Sequence, residues 1–114
     1  MTEVKLSELS VAQLRTRRRR LVGAVSGPER TLRGALLHES RRCSSEGCRC
    51  RRGELHGPYT YLAVYLAGRS RMVYVPQALA ELATEHVELT QRNEALLGEI
   101  SQINLELLRR RALE

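Results

Sequence analysis

Between Ser7 and Val25 the apolar residues return every three or four positions. Leu14, Leu21 and Val25 lie on one stripe, with Val11 and Val22 beside it. That rhythm predicts an amphipathic helix, with Arg15, Arg17, Arg19 and Arg20 directed largely away from the stripe. Ser7 or Ser10 can cap it, and Ser10 with Gln13 has the spacing of a capping box. The run Ser26-Gly27-Pro28-Glu29 then breaks the pattern.

Further along, the rhythm shortens to two. In residues 58–66, Tyr59, Tyr61, Ala63 and Tyr65 alternate with Thr60, Leu62, Val64 and Leu66, which is the pattern of a strand. A second strand runs to Pro76, and Gly68 in the intervening Ala67–Ser70 segment supplies the turn of a hairpin. Residues 35–42 read as a further strand. The tyrosine face can stack unpaired bases, but tyrosine at alternate strand positions is expected as packing against the N-terminal helix.

From Gln77 to Ala112 the helical pattern is nearly unbroken. Leu79, His86, Asn93, Ile100 and Leu107 occupy the a positions of a heptad, and Leu82, Leu89, Leu96 and Ile103 the d positions. Gly98 falls at f, the outermost position. A helix of this length spans roughly 54 Å, whereas a compact globule of this size is only about 35 Å across. Either the seam pairs with another chain or it packs on the N-terminal helix. Dimerisation is the expectation, because an unpaired Leu/Ile seam is an aggregation hazard and a polar Asn at a fixes register. Few opposite charges face each other at e and g, so helix direction stays open.

Composition sharpens this picture. The chain of 114 residues has no Phe, no Trp and four Tyr, so it lacks most of the large side chains that fill small cores, and a metal or a partner would help. Net charge is +6, unevenly spread. Fifteen basic and six acidic residues up to Pro76 give +9, and four basic and seven acidic residues after it give −3. A basic body suggests a polyanionic partner, and the near-exclusive use of Arg suits bidentate contacts to phosphate. No apolar run is long enough to cross a bilayer and no signal peptide is apparent. The expectation is therefore a cytoplasmic protein with reduced thiols and no membrane partner.

All three cysteines fall in one short stretch, Arg41-Arg42-Cys43-Ser44-Ser45-Glu46-Gly47-Cys48-Arg49-Cys50-Arg51-Arg52, with His56 following Cys50 after five intervening residues. Three sulfurs and an imidazole are the donor set of a structural Zn2+ site, and Gly47 allows a tight turn between the first two sulfurs. Cys43, Cys48, Cys50 and His56 are the expected ligands, with His38 as the alternative fourth. Redox-active thiols and a structural disulfide stay open as other readings. A full Cys3His shell has no vacant position for substrate.

The run Cys43–Leu62, followed by Val73-Tyr74-Val75-Pro76 and a helix, resembles a family of small, functionally uncharacterised bacterial and archaeal proteins. Their shared stretch reads Cys-Gly-Lys-Pro-x-Cys-x-Cys, then His-Gly-Pro-Tyr-Tyr-Tyr-Leu, then a hairpin ending in Tyr-Val-Pro. The resemblance covers about residues 34–107 and implies that Cys43, Cys48, Cys50 and His56 form one site. Here Ser44, Ser45 and Glu46 stand where the family has Gly-Lys-Pro.

The arginines form two clusters. Arg41, Arg42, Arg49, Arg51 and Arg52 flank the cysteines, with Arg69 and Arg71 at the hairpin tip; Arg17, Arg18, Arg19 and Arg20 are the second cluster. A metal that folds the loop would fix its arginines and lower the entropy lost on binding phosphates. There is no Asp, no Gly-rich phosphate loop and no Ser/His/acid arrangement, so no enzyme is expected.

These elements predict an α+β fold: an N-terminal helix, a small antiparallel sheet with a zinc-knuckle-like loop (41–58) and hairpin (58–76), and a coiled-coil helix. Residues 1–76 form the basic body and residues 77–114 the dimerising helix. The expected function is a dimeric zinc protein that binds nucleic acid, duplex DNA ahead of RNA, in an accessory or regulatory role. An adaptor for a larger protein partner and a thiol redox sensor are the alternatives.

Overall fold

The computed structural model describes residues 5–41 and 56–114, with Arg41 and His56 as backbone only. The chain is α+β, as the sequence predicts, and divides into two compact units. One comprises Met1–Glu29 with Leu89–Glu114, the other Arg30–Glu88. The break in charge at Pro76 does not coincide with the break between these units.

In the first unit a 3-10 turn, Leu6–Glu8, precedes helix α1, Val11–Ala24. The helix starts at Val11 because Ser10, rather than Ser7, is the cap. Ser10 Oγ accepts the Gln13 N–H (3.1 Å), and Gln13 Oε1 accepts the Ser10 N–H (2.8 Å), satisfying two donors that a helix end otherwise leaves unpaired. Leu14 of α1 packs against Ile103 and Leu107 of helix α2 (Ala80–Arg109), and all three are at most 1% exposed. Burial of each contributes about 1.5–3 kcal/mol. Leu6, Leu9, Val11, Leu21 and Ala112 close around them. Helix α2 ends in a Schellman motif: Ala112 N–H donates to Leu107 O (2.8 Å) and Arg111 N–H to Leu108 O (3.0 Å), with Arg111 in the left-handed region at φ 56°.

The second unit is a three-stranded antiparallel meander, β1 (Ala35–Arg41), β2 (His56–Leu66) and β3 (Arg69–Val75), in the order β1-β2-β3. Leu66 pairs with Arg69, so the hairpin loop is Ala67-Gly68 alone; both have positive φ, 50° and 79°, the requirement of a type I′ turn. Leu62 and Val75 pack with Val87 from the first turns of α2, and Leu32, Leu36, Val64, Ala80 and Ala83 surround them. Ala80 and Ala83 are small enough to let the helix approach closely.

That packing corrects one expectation. The aliphatic face of the sheet carries the core, and the tyrosine face is open: Tyr65 is 74% and Tyr74 54% exposed. Alternation fixes which residues share a face, and the helix takes the face whose smaller side chains interdigitate with its alanines.

Candidate functional site

The strand pairing defines the mouth of the cysteine loop. Ala35–Glu39 run against Tyr59–Ala63 in regular register; the register then shifts at a bulge, and Arg41 comes opposite His56. The two ends of the 42–55 segment therefore leave and rejoin the sheet on adjacent strands. Cys43 follows Arg41 by two residues, and His56 is itself the first residue of β2. Cys43, Cys48 and Cys50 lie outside the described residues, as does the His56 side chain. Among the described residues no group of three or more His, Cys, Asp or Glu side chains is placed to hold a metal. His38, the alternative ligand, sits opposite Thr60 with its Nδ1 3.0 Å from the Thr60 hydroxyl. Thr60 is four residues along β2 from His56, about 13 Å, so His56 is the histidine at the mouth. By chemistry alone, the three thiols and one imidazole that the sequence carries between Cys43 and His56 are a donor set that suits a zinc ion.

Gly57 shapes the same corner. Its φ is +108°, and a Cβ there would lie 2.7 Å from the Tyr59 nitrogen and 2.9 Å from the Glu39 carbonyl. Only glycine lets the two strands approach this closely beside the bulge.

The arginines divide into two groups. Arg18 donates to Asn104 Oδ1 (2.8 Å) and to Glu114 (2.6 Å), while Arg15 pairs with Glu114 at 3.2 Å and donates to the Ala112 carbonyl. The Glu114 carboxyl is held below its ordinary value by the Arg18 hydrogen bond and the neighbouring charge of Arg15. Arg110 donates to the carbonyls of Leu6 and Leu9 and to Glu106, tying the end of α2 to the turn before α1. These arginines are structural, and apart from Glu106, one turn from Arg110, their partners stand 86 to 104 positions away in sequence, where no local signal marks them. Arg17, Arg19 and Arg20 of α1 and Arg69 and Arg71 of β3 make no hydrogen bond or ion pair among the described residues; all but the half-buried Arg17 are exposed. Arg42, Arg49, Arg51 and Arg52 lie outside the described residues, as does the side chain of Arg41.

The heptad positions also divide. Ile103 and Leu107 are fully buried against Leu14. Asn93 is 8% exposed and bonded to Ser26, and Leu89 is 7% exposed. Leu96 and Ile100 are half-buried, as is His86, whose Nδ1–H donates to the Leu82 carbonyl at 2.9 Å. Leu79 and Leu82 are each 50% exposed. A second stripe absent from the heptad reading, Leu97, Leu105 and Leu108, is 46–55% exposed.

No helix among the described residues is long and apolar enough to cross a membrane. A family model described as a domain of unknown function (DUF6788) matches residues 11–84, a span that takes in α1, the cysteine loop, the sheet and the start of α2. No curated protein and no solved structure matches the chain.

Proposed function

The chain belongs to the family defined by the domain of unknown function DUF6788, and for this member we propose a zinc-stabilised nucleic-acid-binding module in an accessory or regulatory role. The observation that carries the reading is the Arg41–His56 register pair. It brings the start of the cysteine segment and the histidine position to one end of the sheet, where a Cys3His shell would be closed and structural. The same segment holds Arg42, Arg49, Arg51 and Arg52, which a folded metal loop would hold in fixed positions before phosphates arrive. Reduced thiols fit a cytoplasmic setting.

The Cys-x4-Cys-x-Cys and His-Gly-Pro-Tyr motifs, which resemble those of small bacterial and archaeal proteins, support treating the four residues as one site. Homodimerisation is supported by Leu79 and Leu82, which remain exposed. Paired basic bodies would fit two half-sites on duplex DNA. Asn93, Ile103 and Leu107 are engaged inside the chain, which leaves Leu79 and Leu82 as the exposed part of the seam. Phosphate contact, which duplexes and single strands both offer, is then the common element.

The test is metal analysis of purified protein together with salt-dependent oligonucleotide binding. One zinc per chain is expected, with affinity falling at a log–log slope near −5 if roughly six arginines contact phosphate. Absence of binding at low salt with zinc present overturns the nucleic-acid reading. Oxidation-dependent changes in a metal-free protein would replace it with a thiol sensor.

A second reading, a protein-interaction adaptor, is favoured by the exposed Leu97, Leu105 and Leu108, which fall within an arc of about 80° on α2. Recovery of one stoichiometric protein from nuclease-treated lysate, lost on Leu105→Glu, would favour it.

A further inference from the structure

Arg15, Arg18, Arg19 and Val22 recur along α1 at steps of three and four and so share one face of the helix. With Glu114 they line a cavity of about 260 Å³ within the first compact unit. Two of the guanidinium groups are held from behind. Arg15 Nη2 donates to the Ala112 carbonyl (3.2 Å) and Arg18 Nη1 to Asn104 Oδ1 (2.8 Å). Other donors of the same two groups converge on a single atom, Glu114 Oε1, which lies 2.6 Å from Arg18 Nη2 and 3.2 Å from Arg15 Nε.

The carboxylate leaves this site incompletely satisfied. The Arg15 Nε–H is buried and makes no hydrogen bond, although Oε1 is close, so it bears the cost of a polar group taken from water without a partner. Arg19 is exposed and makes no hydrogen bond or ion pair among the described residues. Three positive charges thus face one negative charge, and that charge sits on a side chain 58% exposed, free to swing into water. A phosphate monoester carries about −1.5 to −2 charges at neutral pH and three acceptor oxygens, one for each guanidinium. Arginine's planar fork suits those oxygens. Because Ala112 and Asn104 already fix two of the three arginines, little side-chain freedom is left to lose on binding.

We propose that Arg15, Arg18 and Arg19 form a binding site for a terminal phosphate group, either inorganic phosphate or the 5′-phosphate of a nucleic acid, with the Glu114 carboxylate as the resident anion that the ligand displaces. The site is separate from the cysteine segment. Its 5′-phosphate form rests on the nucleic-acid reading, and its inorganic-phosphate form does not.

The full chain can be titrated with inorganic phosphate, a 5′-phosphorylated oligonucleotide, the same strand without its 5′-phosphate, and acetate, all at equal ionic strength. The Arg15 Nε–H resonance reports on this site by NMR. Phosphate and the phosphorylated strand should move it, and acetate should not. Glu114→Gln removes the resident charge and should tighten phosphate binding about three- to tenfold, while Arg19→Gln, at an exposed position, should weaken it by about the same factor. Arg92→Gln makes the same charge change on the exposed surface of α2, about 18 Å along the helix from Asn104, and should alter neither affinity nor resonance. A shift by both phosphate probes assigns the site to strand ends, and a shift by inorganic phosphate alone assigns it to the free ion; either supports the site. Oligonucleotide binding that leaves the Arg15 resonance still, with equal affinity in Glu114→Gln and Arg19→Gln, overturns the site and leaves the nucleic-acid reading standing. An equal shift by the strand lacking its 5′-phosphate gives the arginines to backbone phosphodiesters and overturns the terminal-phosphate assignment. A response to acetate equal to that for phosphate, or no response to any probe, shows a salt bridge alone and overturns the site.

Discussion

Asn93 grips the backbone of Ser26 with both ends of its carboxamide: Nδ2 donates to the Ser26 carbonyl (2.8 Å) and Oδ1 accepts the Ser26 N–H (3.3 Å). Ser26 directly follows Val25, the C-cap of α1, so this pair gives both backbone groups of the first residue beyond the helix a partner. An Asn at a coiled-coil a position costs stability, and Leu in its place stabilises the dimer. Here the sign reverses. Asn93→Leu leaves both Ser26 groups unpaired and should destabilise the chain by about 1–3 kcal/mol, measured as a lowered urea midpoint.

The contrast between buried and exposed leucines gives a second prediction. Leu14 is 0% and Leu97 48% exposed. Leu14→Ala should cost about 2–5 kcal/mol through the cavity left against Ile103 and Leu107, and Leu97→Ala less than about 0.5 kcal/mol. Denaturation of the two variants at equal chain concentration checks this. A large loss in Leu97→Ala that grows on dilution would show that the exposed stripe is an interchain contact.

Local chemistry was legible in the sequence and long-range partnership was not. The Ser10–Gln13 box, the three strands and the Gly68 turn follow from spacing because their causes lie within a few residues. The heptad of α2 was equally visible, yet a Leu/Ile stripe looks the same whether its partner is Leu14 or another chain. The tyrosines show a further limit: alternation places Tyr61 and Tyr65 together but does not say which face meets α2. For the candidate site, the sequence supplies Cys43, Cys48 and Cys50 by spacing, with His56 ahead of His38 as the expected fourth ligand. The bulge that sets His56 opposite Arg41 arises from strand register, which no local pattern records.

Ala67 offers a gain in stability. It adopts φ 50° in a two-residue turn beside Gly68, a conformation that costs alanine about 1 kcal/mol and that asparagine tolerates better. Ala67→Asn should therefore stabilise the hairpin by about 0.5–1 kcal/mol, read as a raised thermal midpoint.

Glu114 yields a pH dependence. Its carboxyl is held below the usual 4.5 by the Arg18 hydrogen bond and the charge of Arg15. A carboxyl whose folded value is depressed stabilises the fold above its unfolded value, and this contribution fades as pH falls through the folded one. Arg18→Gln should move the Glu114 titration up toward its ordinary value in an NMR pH series. An unchanged titration would show that Arg18 does not hold the carboxylate in solution.

Gly57 and Gly68 both have positive φ, and comparing them separates strain from close approach. At Gly68 a Cβ meets nothing within 4 Å, whereas at Gly57 it would press on the Tyr59 nitrogen and the Glu39 carbonyl. Gly68→Ala should cost only the backbone strain, about 1 kcal/mol. Gly57→Ala must also push apart the strands beside the bulge and should cost about 2–4 kcal/mol. Because Gly57 adjoins His56, the same displacement would move the proposed ligand at the loop mouth, so this variant should surrender zinc to a chelator faster than the Gly68 variant. Equal stability and equal zinc loss in the two would show that the register at the mouth tolerates a side chain, and that the tight corner does not hold the metal loop.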